Sequence, residues 1–260
     1  MFQPVFIKAT NIDDAWHQLL YNAYEYGREY EITDGSFKGH KRLEFDYAAG
    51  FISAPHTEQL APMMPEGSNL PRPTDDDAIK AYFANYLMDP TLGENEHYKY
   101  SNWINGTNHY KDYAEVLFEP VPGIEEGLIS IPNKVTPIEW VIYHFQTKGY
   151  GNNHCYINIG NADSGFAYEN SYQDECARGT SPCLRGVDFK IKDGKLITAV
   201  TFRSWDLYAG FPENMGGFAL LNQYVASYLD GVEPGPLCFS SAGLHCYDFQ
   251  VEIVKTRLNK

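Results

Sequence analysis

The chain has 260 residues, of which 43% are hydrophobic and 21% are charged, as expected of a globular protein with a large core. Its net charge of −14, from 34 acidic and 20 basic residues, argues against nucleic acid or an anionic membrane as a partner, because those surfaces attract clustered Lys and Arg. The sequence has no apolar run long enough to predict a membrane helix, and it begins without the basic and apolar segments of a signal peptide, so we expect a cytoplasmic protein.

The first half of the chain predicts two helices, a strand and a long irregular connection. Apolar residues at helical spacing predict a first helix across IDDAWHQLLYNAYEYGREYEI. The alternation of Leu43, Phe45 and Tyr47 predicts a strand. A proline-rich segment follows, and Thr74 is the predicted N-cap of the next helix, which has three acidic residues in its first turn.

The second half predicts strands alternating with helices. One helix is predicted to end at Gly149, and HCYINIG alternates like a strand. Two further strands joined at Asp193-Gly194 predict a hairpin. The segment ENMGGFALLNQYVASYLDGV predicts a helix, and PLCFSSAGLHCYDFQVEIV indicates strand and turn. Since there is no repeat or composition break, we predict one α+β domain over residues 1–260.

Several familiar kinds of site have no support in this sequence. The five cysteines are odd in number and form no C-x-x-C pair, which argues against a disulfide framework or structural zinc. The eight histidines show no recognised metal-binding spacing, so no metal site is predicted. Glycine-rich phosphate loops and the G-x-S-x-G elbow are also absent.

Cys183 lies just before the predicted hairpin, and Arg203 lies at its end. The second strand of a hairpin returns to the level at which the first begins, so the two residues are expected side by side. A guanidinium beside a thiol favours the thiolate and would lower the pKa of Cys183. The sequence alone leaves open whether Cys183 is a nucleophile or a buried filler and whether Arg203 is a surface charge.

Several ordered motifs resemble those of the thymidylate synthase family, in its archaeal-type branch. They cover most of the chain: GSFKGHKRLEFDY, PRPTDDDAIKAYF, NEHYKYSNW, PCLRGVDFKIKDGKLITAVTFRSWDLYAGFPENMGG and SSAGLHCYDF. The resemblance implies a mixed β-sheet packed with helices and a homodimer formed through the sheet. It also implies the conversion of dUMP to dTMP, with 5,10-methylenetetrahydrofolate, or a related tetrahydropterin, as carbon and hydride donor.

The resemblance assigns chemical roles to residues around the cysteine. Cys183 matches the nucleophile that adds to C6 of the pyrimidine, and Tyr100 matches a tyrosine that helps to deprotonate C5. Arg203 and Ser204 match the residues that bind the phosphate, with Arg203 also beside the thiolate. Asp206 matches the carboxylate that orders the base and the pterin.

Further positions match residues that recognise the nucleotide and the cofactor. Asn214 matches the amide that reads N3 and O4 of the base, and an amide suits uracil because it both donates and accepts. Asn214 could also cap the helix that it opens. His245 and Tyr247 match the pair that binds the 3′-hydroxyl, and Gly210 is expected at the cofactor.

Two features of the family have no direct match. Where most bacterial and eukaryotic members have adjacent arginines that reach the phosphate across the dimer, this chain has Asn153 and His154. The remaining candidates for that role are Arg42, which we include in the predicted site, Arg28 and Arg178. The glutamate of the water and proton network has only two candidates, both in the proline-rich segment: Glu58 and Glu66.

Three functional classes therefore stay open at this stage. The first is dUMP methylation, and the second is 5-hydroxymethylation of a pyrimidine nucleotide, in which water replaces hydride. The ending KTRLNK differs from the apolar terminus of bacterial members, so the closure that would exclude water is undecided. The third class is a non-catalytic nucleotide- or RNA-binding homologue, which the acidic charge and the intact Cys183 disfavour.

Overall fold

The computed structural model describes residues 2–34, 37–94, 96–106, 135–161, 164–165 and 181–260. Its strands are β1 Val5–Ala9, β2 Arg28–Glu31, β3 Lys41–Glu44, β4 Ala48–Ile52, β5 Tyr156–Asn158, β6 Leu184–Lys192, β7 Lys195–Phe202, β8 Trp205–Asp206, β9 Glu233–Ser241 and β10 Leu244–Tyr247. Its α-helices are α1 Ile12–Tyr26, α2 Asp76–Tyr82, α3 Ser101–Ile104, α4 Pro137–Lys148, α5 Gly210–Ala226 and α6 Asp248–Arg257, and a π-helical segment, Phe83–Met88, continues α2. The architecture is α+β, as predicted.

A six-stranded mixed sheet forms the centre of the described fold, in the order β1-β4-β9-β7-β6-β5. The predicted hairpin is confirmed as β6 and β7, and Asp193 and Gly194 make its turn with φ values of 51° and 70°. Glycine and aspartate tolerate this left-handed conformation better than most residues, so the turn fixes the register of the two strands. Strands β7 and β9 are parallel, and α5 connects them across one face of the sheet.

Helix α5 covers that face with the apolar residues that its sequence placed together. Met215, Phe218, Leu221 and Val225 are fully buried. The buried Asn222 interrupts this apolar surface, and its side chain donates to the Leu196 carbonyl (2.8 Å) and to Thr198 Oγ1 (2.9 Å) and accepts from the Gly235 amide (3.1 Å). These three bonds tie α5 to β7 and β9.

The opposite face of the sheet is covered by none of the described helices. Across neighbouring strands, Phe51, Cys238, Ala199, Asp188 and Tyr156 form one row, because each is paired with the next in the strand register. Phe51 and Tyr156 are large and exposed. Phe6 on β1 is 71% exposed and adds a third large apolar side chain to this face, on the outermost strand. We call this surface the open face.

A second, four-stranded sheet has the order β2-β3-β10-β8. Gly243, just before β10, allows this sheet to approach the end of β7, since a Cβ there would lie 2.5 Å from the Arg203 carbonyl oxygen. The Trp205 amide donates to the Gly243 carbonyl (2.9 Å) and the Leu207 amide donates to the His245 carbonyl (2.7 Å). The small sheet is thereby joined to the strand end that carries Arg203.

The structure corrects several predicted boundaries in the first half of the chain. Helix α1 ends at Tyr26, because the residues after Gly27 pair as β2. Phe45 and Tyr47 lie between β3 and β4 rather than in one strand. Asp75, not Thr74, caps α2, by accepting from the Ala78 amide (2.8 Å).

Two predictions in the last third were also wrong. Helix α5 begins at Gly210, so Asn214 lies inside it and is not its cap. The segment after Tyr247, expected to be strand and turn, is helix α6, with a capping box between Tyr247 and Gln250. Among the described residues, no helix is long and apolar enough to cross a bilayer.

Candidate active site

Cys183 and Arg203 lie side by side where the hairpin strands begin and end, as the spacing predicted. The Arg203 amide donates to the Cys183 carbonyl at 2.9 Å, and Arg203 Nη2 lies 4.0 Å from Cys183 Sγ. The guanidinium also donates to two carbonyls of the preceding loop, those of Ser181 (2.6 Å) and Pro182 (3.2 Å). Arg203 therefore holds the cysteine-bearing loop against the strand as well as placing a positive charge at the thiol.

Burial and charge act in opposite directions on the thiol. Burial raises the pKa of Cys183, and the Arg203 guanidinium lowers it by a smaller amount. The net pKa is therefore above the ordinary value of a cysteine, contrary to the expectation that the guanidinium would lower it below that value. Cys155 and Cys246 have no such cation among the causes of their shifts, and burial raises the pKa of Cys155 to about 12. Cys183 thus differs from the structural thiols in having a charge that favours its ionised form.

Tyrosines from the segment before α3 and from the π-helical segment form a cluster near the cysteine. Tyr100 is 6% exposed, and its hydroxyl accepts from the Leu184 amide (3.3 Å), one residue beyond the thiol. Burial raises the pKa of Tyr100, and the charge of a Cys183 thiolate adds to the increase. Tyr86 packs edge-on against Tyr100 at a centroid distance of 5.1 Å, and Tyr98 lies 6.1 Å away. The structure therefore places Tyr100 next to Cys183, in a cluster of packed tyrosine rings.

Asp206 lies on β8, beside His245 in the register with β10. Its Oδ1 accepts from the Tyr208 amide (2.9 Å), and Gln250 Nε2 donates to both carboxylate oxygens (3.2 and 3.3 Å). Burial raises the pKa of Asp206, while the Gln250 bond opposes this shift. The sequence analysis missed Gln250 because it read this segment as strand; a helix starting at Asp248 would have placed Gln250 at the N3 position of a capping box.

Asn214 faces the same region from α5. Trp205 Nε1 donates to its Oδ1 at 2.8 Å, which fixes the orientation of the amide. The Nδ2 group of Asn214 is therefore a donor that points away from Trp205, and Oδ1 keeps a second lone pair that can accept another hydrogen bond. A Cβ at Gly210 would lie 3.4 Å from Asp206 Cβ and 3.9 Å from Asn214 Oδ1, so this glycine borders both side chains. Ser204, half-buried, precedes Trp205 at the strand end.

The small sheet adds the remaining predicted side chains. In the register of β3 with β10, Arg42 pairs with Tyr247 and Glu44 with His245. Arg42 Nε lies 2.8 Å from Glu44 Oε2, which is 3.9 Å from His245 Nδ1. His245 is 2% exposed; its Nδ1 bonds the Gly243 carbonyl (2.8 Å), whereas its Nε2 is buried without a partner. The sequence analysis did not identify Glu44 as a member of this group.

The other residues considered for the phosphate contact lie away from the group around Cys183. Arg28 forms an ion pair with Asp46 and lies over the rings of Phe2 and Tyr30. Asn153 accepts from Lys190 near the far end of β6, about 23 Å from Cys183 at roughly 3.3 Å per residue.

The neighbouring His154 bonds His144 instead of approaching the cysteine. Glu58 and Glu66 are exposed in the proline-rich segment. Arg178 lies outside the described residues.

Comparisons with known proteins agree on one family. The family model described as "Thymidylate synthase" matches residues 167–260. A Methanosarcina acetivorans protein named "Putative thymidylate synthase" is 27% identical over 249 residues, covering 96% of this chain and 92% of its own. A Methanosarcina mazei protein of the same name is 27% identical over 252 residues, with the same coverage. A Methanothermobacter thermautotrophicus protein of that name is 39% identical over 75 residues, which are 29% of this chain and 33% of that protein.

A solved structure shares the fold. Thermostable thymidylate synthase A from Bacillus subtilis superposes with a TM-score of 0.63, covering 96% of this chain and 85% of that one, at 15% identity. At this identity the likeness concerns the fold alone.

Proposed function

We propose that this chain is a member of the thymidylate synthase family, whose model matches residues 167–260, and that it converts dUMP to dTMP. The observation that carries the proposal is the guanidinium of Arg203 4.0 Å from the Cys183 thiol, inside a group that also contains Tyr100. A cation at this distance stabilises the thiolate, the reactive form of a cysteine.

The first step follows from the position of the thiol. Sγ of Cys183 forms a bond to C6 of the pyrimidine, and the C5–C6 electron pair moves towards the C4 carbonyl, so that C5 becomes a carbon nucleophile. The amide of Asn214 suits the uracil edge, because Nδ2 can donate to O4 and the second lone pair of Oδ1 can accept from N3–H. Tyr100 stands beside the cysteine to help remove the proton from C5 once the new carbon bond has formed.

The nucleotide's sugar and phosphate fit polar groups at the two strand ends. The unpartnered Nε2 of His245 is available for the 3′-hydroxyl, and Tyr247, whose ring lies 4.7 Å from that of His245, is the second residue proposed for it. Arg203 and Ser204, with Arg42 from β3, are the groups proposed for the phosphate. A buried nitrogen without a partner costs free energy, so a ligand that bonds Nε2 gains from satisfying it.

The proposed one-carbon donor is 5,10-methylenetetrahydrofolate or a related tetrahydropterin. Asp206 and Gly210 would hold its pterin: the carboxylate suits ring N–H donors, and the missing side chain at Gly210 leaves space between Asp206 and Asn214. When bound, this group supplies the carbon and the hydride. The chain's own residues orient the two ligands in one site, which lowers the entropic cost of their reaction.

The open face supports a homodimer. Phe6, Phe51 and Tyr156 expose apolar area on a sheet face that no described helix covers. Large apolar side chains exposed together on one sheet face are typical of interaction surfaces in soluble proteins. We expect Phe51→Asp to shift the chain from dimer to monomer in light scattering, whereas Tyr228→Asp, an exposed tyrosine beyond α5, should leave the dimer intact.

The decisive test is incubation with 5-fluoro-dUMP and methylenetetrahydrofolate, followed by mass spectrometry. A covalent adduct on Cys183 that Cys183→Ser abolishes supports the nucleophile, and its absence would favour a non-catalytic nucleotide- or RNA-binding protein. Incubation with dUMP, dCMP and CMP separately then identifies the substrate. A product heavier by one methyl group supports methylation, whereas only hydroxymethyl product would establish the alternative reaction, 5-hydroxymethylation.

A further inference from the structure

A second polar cluster lies at the carboxyl end of α4, away from Cys183. His144, on the last turns of α4, places Nε2 at 3.1 Å from Asn152 Oδ1 and at 3.2 Å from His154 Nδ1. Two atoms with lone pairs, one oxygen and one nitrogen, therefore lie within hydrogen-bond distance of Nε2. His144 and Asn152 are half-buried and His154 is exposed, so solvent reaches the cluster.

The orientation of the amide is set by bonds outside the cluster. Asn152 Nδ2 donates to the Gly149 carbonyl (2.8 Å), which leaves Oδ1 facing the histidines. The His154 backbone amide also donates to this Oδ1 (3.2 Å). Trp140 packs on the ring of His144 at a centroid distance of 4.8 Å and restrains its rotation. The three atoms are thus held together by the surrounding structure.

A single proton joins the two imidazoles. If His154 Nδ1 carries this proton, it donates to His144 Nε2, while Asn152 Oδ1 accepts from the His154 amide. If Nε2 carries it, Nε2 donates to Oδ1 or to Nδ1. A cation that displaces this proton would bind the lone pairs of both imidazoles and the second lone pair of Oδ1.

The spacing fits a transition-metal ion. Metal–nitrogen bonds of about 2.0–2.1 Å place neighbouring ligand atoms about 2.9 Å apart in octahedral geometry and about 3.4 Å apart in tetrahedral geometry. The separations of His144 Nε2 from Asn152 Oδ1 (3.1 Å) and from His154 Nδ1 (3.2 Å) lie between these limits.

We propose that His144, Asn152 and His154 form a binding site for a divalent transition-metal ion of the class that prefers imidazole, such as Zn²⁺ or Ni²⁺. Three protein ligands leave the remaining positions to water. Lys148 lies one turn beyond His144 and repels a cation, so the affinity is expected to be below that of closed structural zinc sites. The site is separate from the chemistry proposed at Cys183, and neither proposal depends on the other.

Trp140 provides a direct measurement, because it touches a proposed ligand and a paramagnetic ion quenches a nearby indole. Titration of the full-length protein with Ni²⁺ should quench part of the tryptophan fluorescence at saturation. Trp140→Phe should remove the quench but keep the heat of Zn²⁺ binding in calorimetry. His144→Gln and His154→Gln should each weaken binding by at least about tenfold, as loss of a ligand requires.

Matched variants distinguish this site from adventitious histidine binding. His17→Gln changes an exposed histidine of α1 and should leave both readouts unchanged. Asn152→Asp replaces the amide oxygen by a charged ligand and should strengthen binding. Equal quenching in wild type and in both histidine variants, or no Zn²⁺ heat at neutral pH, would overturn the proposal, and weaker binding by Asn152→Asp would remove Oδ1 as a ligand.

Discussion

Replacing Arg203 by alanine tests the arrangement at the thiol most directly. Two unit charges 4 Å apart interact by about 4 kcal/mol at an effective dielectric of about 20 and by about 1 kcal/mol in water. Arg203 Nη2 lies 4.0 Å from Cys183 Sγ, and Arg203 is exposed, so solvent screening places its contribution near the lower end, at about 1–2 kcal/mol. Since about 1.4 kcal/mol corresponds to one pKa unit, Arg203→Ala should raise the pKa of Cys183 by about one unit.

The assay is alkylation of Cys183 by iodoacetamide as a function of pH, read by mass spectrometry of the peptide that contains it. Because the thiolate reacts, the midpoint of the rate profile reports the pKa, and the rate near pH 7 should fall about tenfold in Arg203→Ala. Arg203→Lys keeps the charge but not the bonds to the Ser181 and Pro182 carbonyls, so it should recover part of the rate. An unchanged or lower midpoint in Arg203→Ala would refute the reasoning.

Three further outcomes are expected. Gly243→Ala should perturb the strand end, because its Cβ would lie 2.5 Å from the Arg203 carbonyl; alkylation of Cys183 should slow, and an unchanged rate would show that the strand end tolerates the side chain. Asn222→Ala leaves three buried polar groups unpaired and should lower the free energy of unfolding by about 3 kcal/mol or more in urea, whereas Asn158→Ala, at an exposed amide, should have little effect. Burial raises the folded-state pKa of Asp206 above its unfolded value near 3.9, so the native state retains a proton that the unfolded state releases, and stability falls as pH rises through this window. The free energy of unfolding of Asp206→Asn, relative to that of wild type, should therefore increase as the pH rises from about 4. A difference in unfolding free energy that stays constant with pH would contradict the raised pKa of Asp206.

The local part of the site could be predicted from sequence because turn chemistry determines it. Asp193 and Gly194 specify a tight hairpin, and the hairpin register then places Cys183 opposite Arg203. The burial of the α5 residues followed from helical periodicity in the same way. In both cases the information lies within a short stretch of chain.

The four-stranded sheet could not be predicted from local pattern. It joins β3 to β10, so Arg42 and Tyr247 meet across most of the chain, and β8 contributes only two residues. Helix α6 was missed because its sequence alternates and only Gln250 and Val254 are buried. Tertiary contacts decide the conformation of such a segment, and Gln250 as a partner of Asp206 depends on that outcome.

The number of residues between the partners of each contact also predicts an order in which the site assembles during folding. Cys183 and Arg203 belong to one hairpin, and closing its short loop costs little entropy. The pairing of Arg42 with Tyr247 requires the closure of a loop of most of the chain's length, which generally comes later. We therefore expect the thiol and its guanidinium to meet early in folding, before β3 and β10 have paired.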